Sequence, residues 1–375
     1  MKITKLETFF VKPRWLFLKM HTDEGVTGWG EPIVEGWSHT VAAAVQEMGR
    51  YLLGKDPRRI QHHWQALYRG AFYRGGPVLT SALSGLEQAM WDITGKWLGV
   101  PVHQLLGGAV RDSIRVYGHV GGRTPEALAE SARKLREQGF TAVKTSPFQA
   151  VRFVESSAFV DAAVARIAAL REAVGKEVDI GIDFHGRVSP AMAIQLARAF
   201  EPFHPMFIEE PCLPENVDAM VTIARSTPVP IATGERLFTK WGFREVLEKQ
   251  AASILQPDLS HAGGIFEVRS IAAMAEAYYA AVAPHCPLGP IALAASLQLD
   301  ACIPNFLCQE QVTLGQGYLK KPFDVKGGSI EVPAGPGLGI EVDEEADPAG
   351  LPGQLYDGSW ENPRLWHEDG SLADW

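Results

Sequence analysis

The chain has 375 residues, of which 46% are hydrophobic, and its formal net charge at pH 7 is −9. This length allows a large core and more than one domain, because a barrel of alternating strands and helices alone takes about 250 residues. The acidic balance argues against nucleic acid or a membrane surface as a partner. It also means that an anionic substrate needs local positive charge or a metal in order to bind.

The cysteines and the N-terminus indicate the compartment. The apolar run at residues 9–11 is too short for a signal peptide, and no stretch approaches 18 apolar residues. The cysteines form no CxxC pair and are few for this length: Cys212, Cys286, Cys302 and Cys308. We therefore expect a cytoplasmic protein whose thiols are reduced and lie in the core.

The first part of the chain has the pattern of an antiparallel sheet followed by helices. Apolar and polar residues alternate over residues 2–20, a turn falls at 22–25, and 26–31 has the pattern of a third strand. Three helical patterns follow, at residues 40–53, 57–68 and 79–98. This order predicts an α+β domain at residues 1–112. Three turn-rich loops are either ordinary surface loops or walls of a neighbouring site: residues 11–15, 31–38 and 74–77.

From residue 113 the pattern changes to short apolar strands, each followed by a helix. One strand, one helix and two short loops take up about 25 residues. Six strands end in a polar residue at steps of 26, 26, 23, 27 and 25 residues: Asp183, Glu209, Glu235, Asp258, His285 and Glu310. Two earlier strands, at 115–120 and 141–145, bring the count to eight, with the last helices the least defined.

The predicted fold class is therefore α/β. We expect a modified TIM barrel of the (β/α)7β type at residues 113–320, which carries the catalytic residues. The α+β domain caps this barrel, and the Gly- and Pro-rich segment at residues 321–375 packs back on the cap and completes it. Because the C-terminal ends of parallel barrel strands meet at one mouth, the six polar residues should converge there.

Three of these residues have the character of metal ligands. Asp183, Glu209 and Glu235 end three consecutive strands, and carboxylates this close together repel one another unless a cation lies between them. All-oxygen ligands at an open mouth suit Mg²⁺ better than zinc, which prefers His and Cys. Glu210 competes with Glu209, because adjacent strand residues face opposite ways, but the 26-residue step favours Glu209.

Two histidines are expected on opposite sides of this cluster. His185 lies two residues after Asp183, on the same face of the third strand. His285 ends the seventh strand, which is diametrically opposite the third in an eight-stranded barrel. Asp258 ends the neighbouring sixth strand, and an aspartate beside a histidine fixes its tautomer and raises its basicity.

Two charged residues complete the candidate site. Lys144 ends the second strand, where its cation either holds a substrate carboxylate or is only structural. Glu310 on the eighth strand either donates a hydrogen bond when protonated or orients a substrate hydroxyl. Together the set suits removal of a proton next to a carboxylate, with His285 as base and His185 as acid, and with a metal and positioned donors to stabilise the charge formed.

Several longer motifs carry a family resemblance. They are Gly181-Ile-Asp-Phe-His-Gly-Arg187, Phe207-Ile-Glu-Glu-Pro211, Gly234-Glu-Arg236, Leu255-Gln-Pro-Asp-Leu-Ser-His-Ala-Gly-Gly264 and Ala283-Pro-His-Cys-Pro-Leu-Gly-Pro290. With these motifs the whole chain resembles the mandelate racemase subgroup of the enolase superfamily, whose members use a Lys or His base together with Mg²⁺.

The resemblance implies a role for each candidate residue. Asp183, Glu209 and Glu235 would bind Mg²⁺. His285, made more basic by Asp258, would take the C2 proton of an acid sugar. His185 would protonate the departing 3-hydroxyl, and Glu310 would stabilise the transition state. The implied reaction is dehydration, with D-galactonate as the expected substrate and 2-dehydro-3-deoxy-D-galactonate as the product. The resemblance also implies a homo-oligomer, commonly an octamer.

One position separates the reactions of the subgroup. Racemases carry Lys-x-Lys on the second strand, with the second lysine as an additional base, whereas this chain has Lys144-Thr-Ser146. Ser146 cannot accept the C2 proton, which disfavours two-base racemisation. Dehydration of another aldonate or aldarate, an epimerase or cycloisomerase reaction, a metallohydrolase barrel and a non-enzymatic sugar-acid binding protein remain as alternatives. Product analysis would identify an epimerase, because its products carry no new keto group. A metallohydrolase would need a cluster of His ligands, and metal-dependent turnover would exclude a binding protein.

Overall fold

The computed structural model describes residues 1–344 and 355–375. The chain begins with an antiparallel sheet in the order β1–β2–β3, as its alternating pattern predicts. The strands are β1 (Ile3–Val11), β2 (Trp15–Thr22) and β3 (Thr27–Gly30). Four helices follow: α1 (Ser38–Leu52), α2 (Ile60–Arg69), α3 (Gly76–Leu98) and α4 (Val102–Leu105). We call β1–β3 with α1–α3 the N-terminal unit.

The long helix α3 lies directly against β3, and glycines make this contact possible. A Cβ at Gly30 would lie 2.0 Å from the carbonyl oxygen of Gly85, and one at Gly28 would lie 2.2 Å from that of Ala89. Gly85 itself packs against Pro32. The helix is buried along most of its length, so it forms the core layer between this sheet and the rest of the protein.

The described residues of the second part of the chain form ten further strands. They are β4 (Ser113–Arg115), β5 (Gly118–His119), β6 (Ala142–Thr145), β7 (Asp179–Asp183), β8 (Phe207–Glu209), β9 (Ile231–Thr233), β10 (Ile254–Leu255), β11 (Ala281–Val282), β12 (Val325–Lys326) and β13 (Ser329–Glu331). Strands β5 to β11 form one parallel sheet in chain order. The separate sheet and the curled parallel sheet confirm the predicted fold class.

A short segment joins the two edges of the parallel sheet. Phe306 forms a parallel bridge with Val282 on one edge, and Gln309 forms one with Val116 just before β5. Residues 306–309 thus take the eighth position of the barrel. As a result β7 and β11 are four positions apart in either direction. Seven helices alternate with the strands: α5 (Pro125–Glu137), α6 (Ser157–Val174), α7 (Pro190–Phe200), α8 (Val217–Ala224), α9 (Thr239–Glu248), α10 (Ile265–Ala277) and α11 (Pro290–Asp300).

The C-terminal part of the chain contacts both halves of the protein. β13 pairs with β4, whose last residue, Arg115, the sequence pattern placed at the start of the first barrel strand. Leu355 forms a bridge with Val11 of the N-terminal unit. Residues 345–354 of the predicted C-terminal segment lie outside the described residues, and the predicted domain limits stay a prediction.

Six of the seven barrel helices are capped in one of two ways. The first four begin at a Ser, Thr or Asn whose side chain accepts a backbone N–H of the first turn: Thr124, Ser156, Ser189 and Asn216. Such caps satisfy backbone donors that have no partner inside the helix. The helices α10 and α11 follow Gly264 and Gly289 instead, and glycine offers no side-chain cap.

Carboxylates of the N-terminal unit supply the two missing caps. Glu87 of α3 accepts the backbone N–H groups of Ile265 and Phe266 at 2.8 and 3.0 Å. Glu31, just after β3, accepts those of Gly289 and Ala292 at 2.6 and 2.9 Å. Both side chains are fully buried. The N-terminal unit is therefore joined to the barrel at the starts of two barrel helices.

We expect this arrangement to make stability depend on pH. Burial raises the pKa of Glu87 from 4.5 to about 7, although three N–H donors oppose the shift. Below pH 4.5, the ordinary pKa of glutamate, the Glu87 carboxyl is neutral in both the folded and the unfolded protein. Its contribution to the free energy of unfolding is complete there and is lost as pH rises through about 7, the pKa in the folded protein. One pKa unit corresponds to about 1.4 kcal/mol, so the loss is about 3 kcal/mol.

Urea denaturation at pH 5 and pH 8.5 measures this effect. The variant Glu87→Gln has no charge at this position, so its unfolding free energy should fall less than that of the wild type between the two pH values. Its absolute stability should be lower, because an amide offers one acceptor oxygen where the carboxylate uses two. Equal falls in the two proteins would contradict the assignment.

Among the described residues no helix is long and apolar enough to cross a membrane. The four cysteines are free thiols, and three of them are buried. Burial raises the pKa of each thiol; for Cys212 and Cys302 it rises to about 11 and for Cys308 to about 12. These thiols are therefore protonated and unreactive, as the sequence predicts.

Candidate active site

Three carboxylates converge at the C-terminal ends of β7, β8 and β9. Asp183 is paired in register with Glu209 across β7 and β8, and Glu235 follows β9 by two residues. One oxygen from each of the three lies within 4.8 Å of the other two. Asp183 and Glu209 are buried, whereas Glu235 is partly open to the cavity.

The protonation of this cluster indicates that it suits a cation. Burial and the neighbouring carboxylates raise the pKa of Glu209 well above its usual value, and they raise that of Glu235 to about 7. A divalent ion between the oxygens would lower the pKa of both glutamates again, because its positive charge favours the carboxylate form. The all-carboxylate donor set fits Mg²⁺. The sequence predicts these three residues as ligands, and the structure brings them together.

Glu210 faces away from this cluster. Its carboxylate accepts a hydrogen bond from Arg236 Nε at 2.8 Å and one from the Thr233 hydroxyl at 2.9 Å. Of the two adjacent glutamates, Glu209 therefore faces the barrel mouth, as the register of the strands predicts.

Lys144 is the buried cation nearest to the three carboxylates. Its Nζ lies 2.9 Å from Glu209, 3.3 Å from Asp183 and 2.9 Å from Glu310. Although burial opposes the charge, the carboxylates raise the pKa of Lys144 well above its usual value. Lys144 also lines the cavity, so it contacts both the carboxylate cluster and the space in which a ligand would lie.

His285 is held by an aspartate, as the sequence predicts. Its Nδ1–H donates to Asp258 at 2.8 Å, which leaves Nε2 directed towards the cluster, 3.6 Å from Glu235. Burial alone would favour the neutral ring. The charges of Glu235, Glu310 and Asp258 outweigh burial and raise the pKa of His285 well above its usual value. A cation bound at Glu235 would weaken the largest of these attractions and leave Nε2 free to accept a proton.

His185 lies on the opposite side, at the end of β7. Its Nε2 is 3.3 Å from Asp183, and its backbone N–H donates to the same carboxylate at 2.8 Å. Burial lowers the pKa of His185 to about 4. The expected position is correct, but the strand-alternation argument for it is wrong. β7 ends at Asp183 and His185 has a φ of 51°, so a turn rather than an extended strand directs the ring.

Glu310 has partners that favour the carboxylate form. One oxygen lies 2.9 Å from Lys144 Nζ and 3.1 Å from His119 Nε2, and the other accepts the backbone N–H of Cys286 at 2.9 Å. Although burial opposes it, Lys144 and His285 hold the pKa of Glu310 well below its usual value. Of the two predicted alternatives, these contacts favour an ionised group that orients a hydroxyl.

A cavity of about 490 Å³ lies over these groups. Its walls come from loops of the N-terminal unit, from the barrel and from the C-terminal segment. The loop residues are Arg14, Val34, Glu35, Trp37 and Pro77, and the C-terminal residues are Asn362 and Trp375. The turn-rich loops are therefore walls of the site. Ser146 lies elsewhere, in a neighbouring cavity with Arg123 and Phe148.

Sequence reasoning missed several cavity residues. His119 ends β5, pairs in register with Lys144 and precedes it by 25 residues, so the same spacing rule would have found it. His261 lies within a quoted motif and approaches Asp258 to 3.7 Å. Arg14 lies in the loop 11–15, for which the sequence allows either a surface loop or a wall of the site. Trp375 carries no such signal, because only the folding of a distant segment brings it to the site.

The geometry agrees with the comparisons to known proteins. Residues 7–107 match the N-terminal domain of the mandelate racemase/muconate lactonizing enzyme family, and residues 127–346 match the enolase C-terminal domain-like family. The chain belongs to the enolase superfamily. This confirms the resemblance that the motifs carry.

Relatives of this enolase-superfamily chain are similar over its full length. A protein from Ralstonia nicotianae named D-galactonate dehydratase is 51% identical, and one of the same name from Cronobacter sakazakii is 50% identical, each with all of both chains covered. The solved structure of a mandelate racemase/muconate lactonizing enzyme from a Sulfitobacter species has a TM-score of 0.92, 34% identity and full coverage of both chains. The chain is thus similar over its full length to proteins named D-galactonate dehydratase.

Proposed function

We propose that the protein is a Mg²⁺-dependent acid-sugar dehydratase that converts D-galactonate to 2-dehydro-3-deoxy-D-galactonate and water. The observation that carries the proposal is the pair of imidazoles on opposite sides of a carboxylate cluster, one of them held by Asp258. Full-length relatives of the same named activity support the choice of D-galactonate.

The metal site would consist of Asp183, Glu209 and Glu235. When bound there, Mg²⁺ would supply positive charge next to the substrate carboxylate as negative charge builds up on it. Lys144 adds a second positive charge, since its Nζ contacts the same carboxylates and lines the cavity.

The base would be His285. Its Nε2 takes the C2 proton, and the electron pair of the broken C2–H bond is first shared with the substrate carboxylate. That pair becomes part of the C2–C3 double bond only when the 3-hydroxyl leaves in the next step. Asp258 keeps the other nitrogen protonated, so the ring accepts the proton only at the nitrogen that faces the cavity. The imidazolium that results lies beside Glu235 and Glu310, whose charges stabilise it.

The acid would be His185. The C3–O bond breaks with its electron pair, the departing hydroxyl takes a proton from His185, and water leaves. The remaining enol moves its hydroxyl proton to C3 through solvent and becomes the 2-keto acid. His185 has a pKa of about 4 in the protein alone. The negative charge of a bound substrate raises this pKa, because it favours the protonated ring.

A panel of aldonates and aldarates with Mg²⁺ tests the proposal. We expect the purified protein to form a 2-keto-3-deoxy acid from D-galactonate faster than from the other sugar acids. A faster reaction with another sugar acid would change the substrate but keep the reaction. Formation of epimers without a keto group would indicate an epimerase, and no reaction with any of the acids would refute the dehydratase proposal.

Assembly into a homo-oligomer stays a prediction from the family resemblance. Light scattering of the purified protein measures the mass of the particle directly, and a particle of one chain would contradict it.

A further inference from the structure

The two imidazoles of the site are held in different ways. His285 is fixed through Nδ1 by Asp258 at 2.8 Å, and this contact also sets its tautomer. The Nδ1 of His185 is buried and has no hydrogen-bond partner within the described part of the chain. A histidine that transfers a proton at one nitrogen is ordinarily oriented through the other. His185 must therefore be oriented by something else.

The ring of Trp375 packs against the ring of His185. Its centroid lies 5.6 Å from that of His185, and the two rings are nearly perpendicular at 86°. This edge-to-face geometry is a favoured arrangement of aromatic rings. The Arg187 guanidinium lies 5.1 Å from the centre of the Trp375 ring, in the geometry of a cation–π contact, and donates to the Phe148 carbonyl oxygen at 3.2 Å. Trp375 is thus in contact with both His185 and a residue anchored in the barrel.

The segment that carries Trp375 is itself attached at several points. Residues 355–375 start beside β1, where the Tyr356 backbone N–H donates to the carbonyl oxygen of Phe10 at 3.1 Å. Asn362 then donates to the Glu35 carbonyl oxygen at 3.0 Å. Close to the end, the Ala373 backbone N–H donates to the carbonyl oxygen of Leu365 at 2.9 Å. These contacts bring the segment from the N-terminal unit across the cavity to His185.

We propose that Trp375 is a positioning residue for His185 in the elimination half of the reaction. The inference rests on the proposed function and deepens it. Trp375 holds the imidazole so that Nε2 faces the departing 3-hydroxyl, and it has no part in removal of the C2 proton by His285 on the other side. Loss of the Trp375 ring should therefore slow water loss and leave proton removal intact.

Two rates in deuterium oxide separate these steps: exchange of the C2 proton of D-galactonate and formation of the 2-keto product. For Trp375→Ala we expect product formation to fall about 3- to 10-fold, the range that a lost aromatic contact produces. Exchange should persist, so the ratio of exchange to product should rise by the same factor. Trp375→Phe keeps an aromatic ring and should restore most of the wild-type ratio, whereas Trp375→Leu should resemble the alanine variant.

The control is Trp97→Ala. Trp97 is also 45% exposed and also lies under a guanidinium, that of Arg58 at 4.3 Å, but it does not line the cavity. This variant should keep the wild-type ratio. An unchanged ratio in both Trp375→Ala and Trp375→Leu would overturn the inference, as would equal losses of exchange and product. Neither result would affect the dehydratase proposal, which fails only if the wild-type protein itself forms no product.

Discussion

The variant His285→Asn should lose exchange of the C2 proton of D-galactonate with solvent deuterium, together with turnover. Asparagine has a similar size but cannot accept a proton, and a positioned base contributes about 10²–10⁴-fold to a rate. Asp258, 2.8 Å from Nδ1, holds the His285 ring in place for this step, and no other base takes its position in the variant. Proton NMR in deuterium oxide follows the C2 signal directly.

The variant His185→Asn should separate proton removal from water loss. It should keep C2 exchange, since His285 is intact, but it should lose product formation by about 10²–10⁴-fold because no acid assists the departing hydroxyl. His62→Gln is a matched control, since His62 is an exposed histidine that does not line the cavity. Exchange that persists in His285→Asn would remove the base assignment. Loss of exchange in both variants would mean that the histidines act in one step.

The variant Glu235→Gln should lose Mg²⁺ binding, which is the second large effect. An amide keeps one oxygen but removes the charge, and even partners outside the ligand set change metal affinity by about 10- to 100-fold. We therefore expect a loss of at least about 10²-fold in affinity by titration calorimetry. Turnover should fall with it, because the proposed reaction needs the cation.

The metal-free form of this variant should change in the opposite direction. Three crowded carboxylates destabilise the protein when no cation lies between them, as the raised pKa values of Glu209 and Glu235 indicate. In EDTA, Glu235→Gln should therefore melt at a higher temperature than the wild type.

At 100 times the dissociation constant, Mg²⁺ should stabilise the wild type by about 2.7 kcal/mol and the variant hardly at all. Glu172→Gln, at an exposed position, should behave as the wild type. If Mg²⁺ stabilises Glu235→Gln as strongly as the wild type, Glu235 is not a ligand.

Much of this site can be predicted from the sequence because a barrel repeats. Each strand–helix unit takes nearly the same number of residues, so strand ends are spaced regularly along the chain and converge in space. Asp183, Glu209 and Glu235 follow from this rule, and so does the approach of Asp258 to His285. The same rule starts the first barrel strand, predicted at 115–120, slightly too early, because Arg115 pairs with β13 and the pairing with β6 is at Gly118 and His119.

The remaining features depend on contacts that no spacing encodes. Trp375 reaches His185 only because the C-terminal segment crosses the cavity. The turn at His185 is a local backbone conformation that an alternating pattern cannot indicate. Glu31 and Glu87 are buried carboxylates, and the backbone N–H groups that they accept lie more than 170 residues further along the chain. Without those partners, a sequence pattern gives no reason for charged residues in the core.

The shared caps also limit how such proteins can exchange parts. Two helices of the barrel depend on acids from the N-terminal unit. A barrel joined to the N-terminal unit of another protein that lacks these acids would therefore have unpaired backbone N–H groups at the starts of α10 and α11. The two glycines in turn depend on the acids. A Cβ added at Gly264 would lie 2.3 Å from the carboxylate of Glu87, and one added at Gly289 would lie 2.6 Å from that of Glu31. Recombination that changes the loops over the cavity must therefore keep both acids and both glycines together.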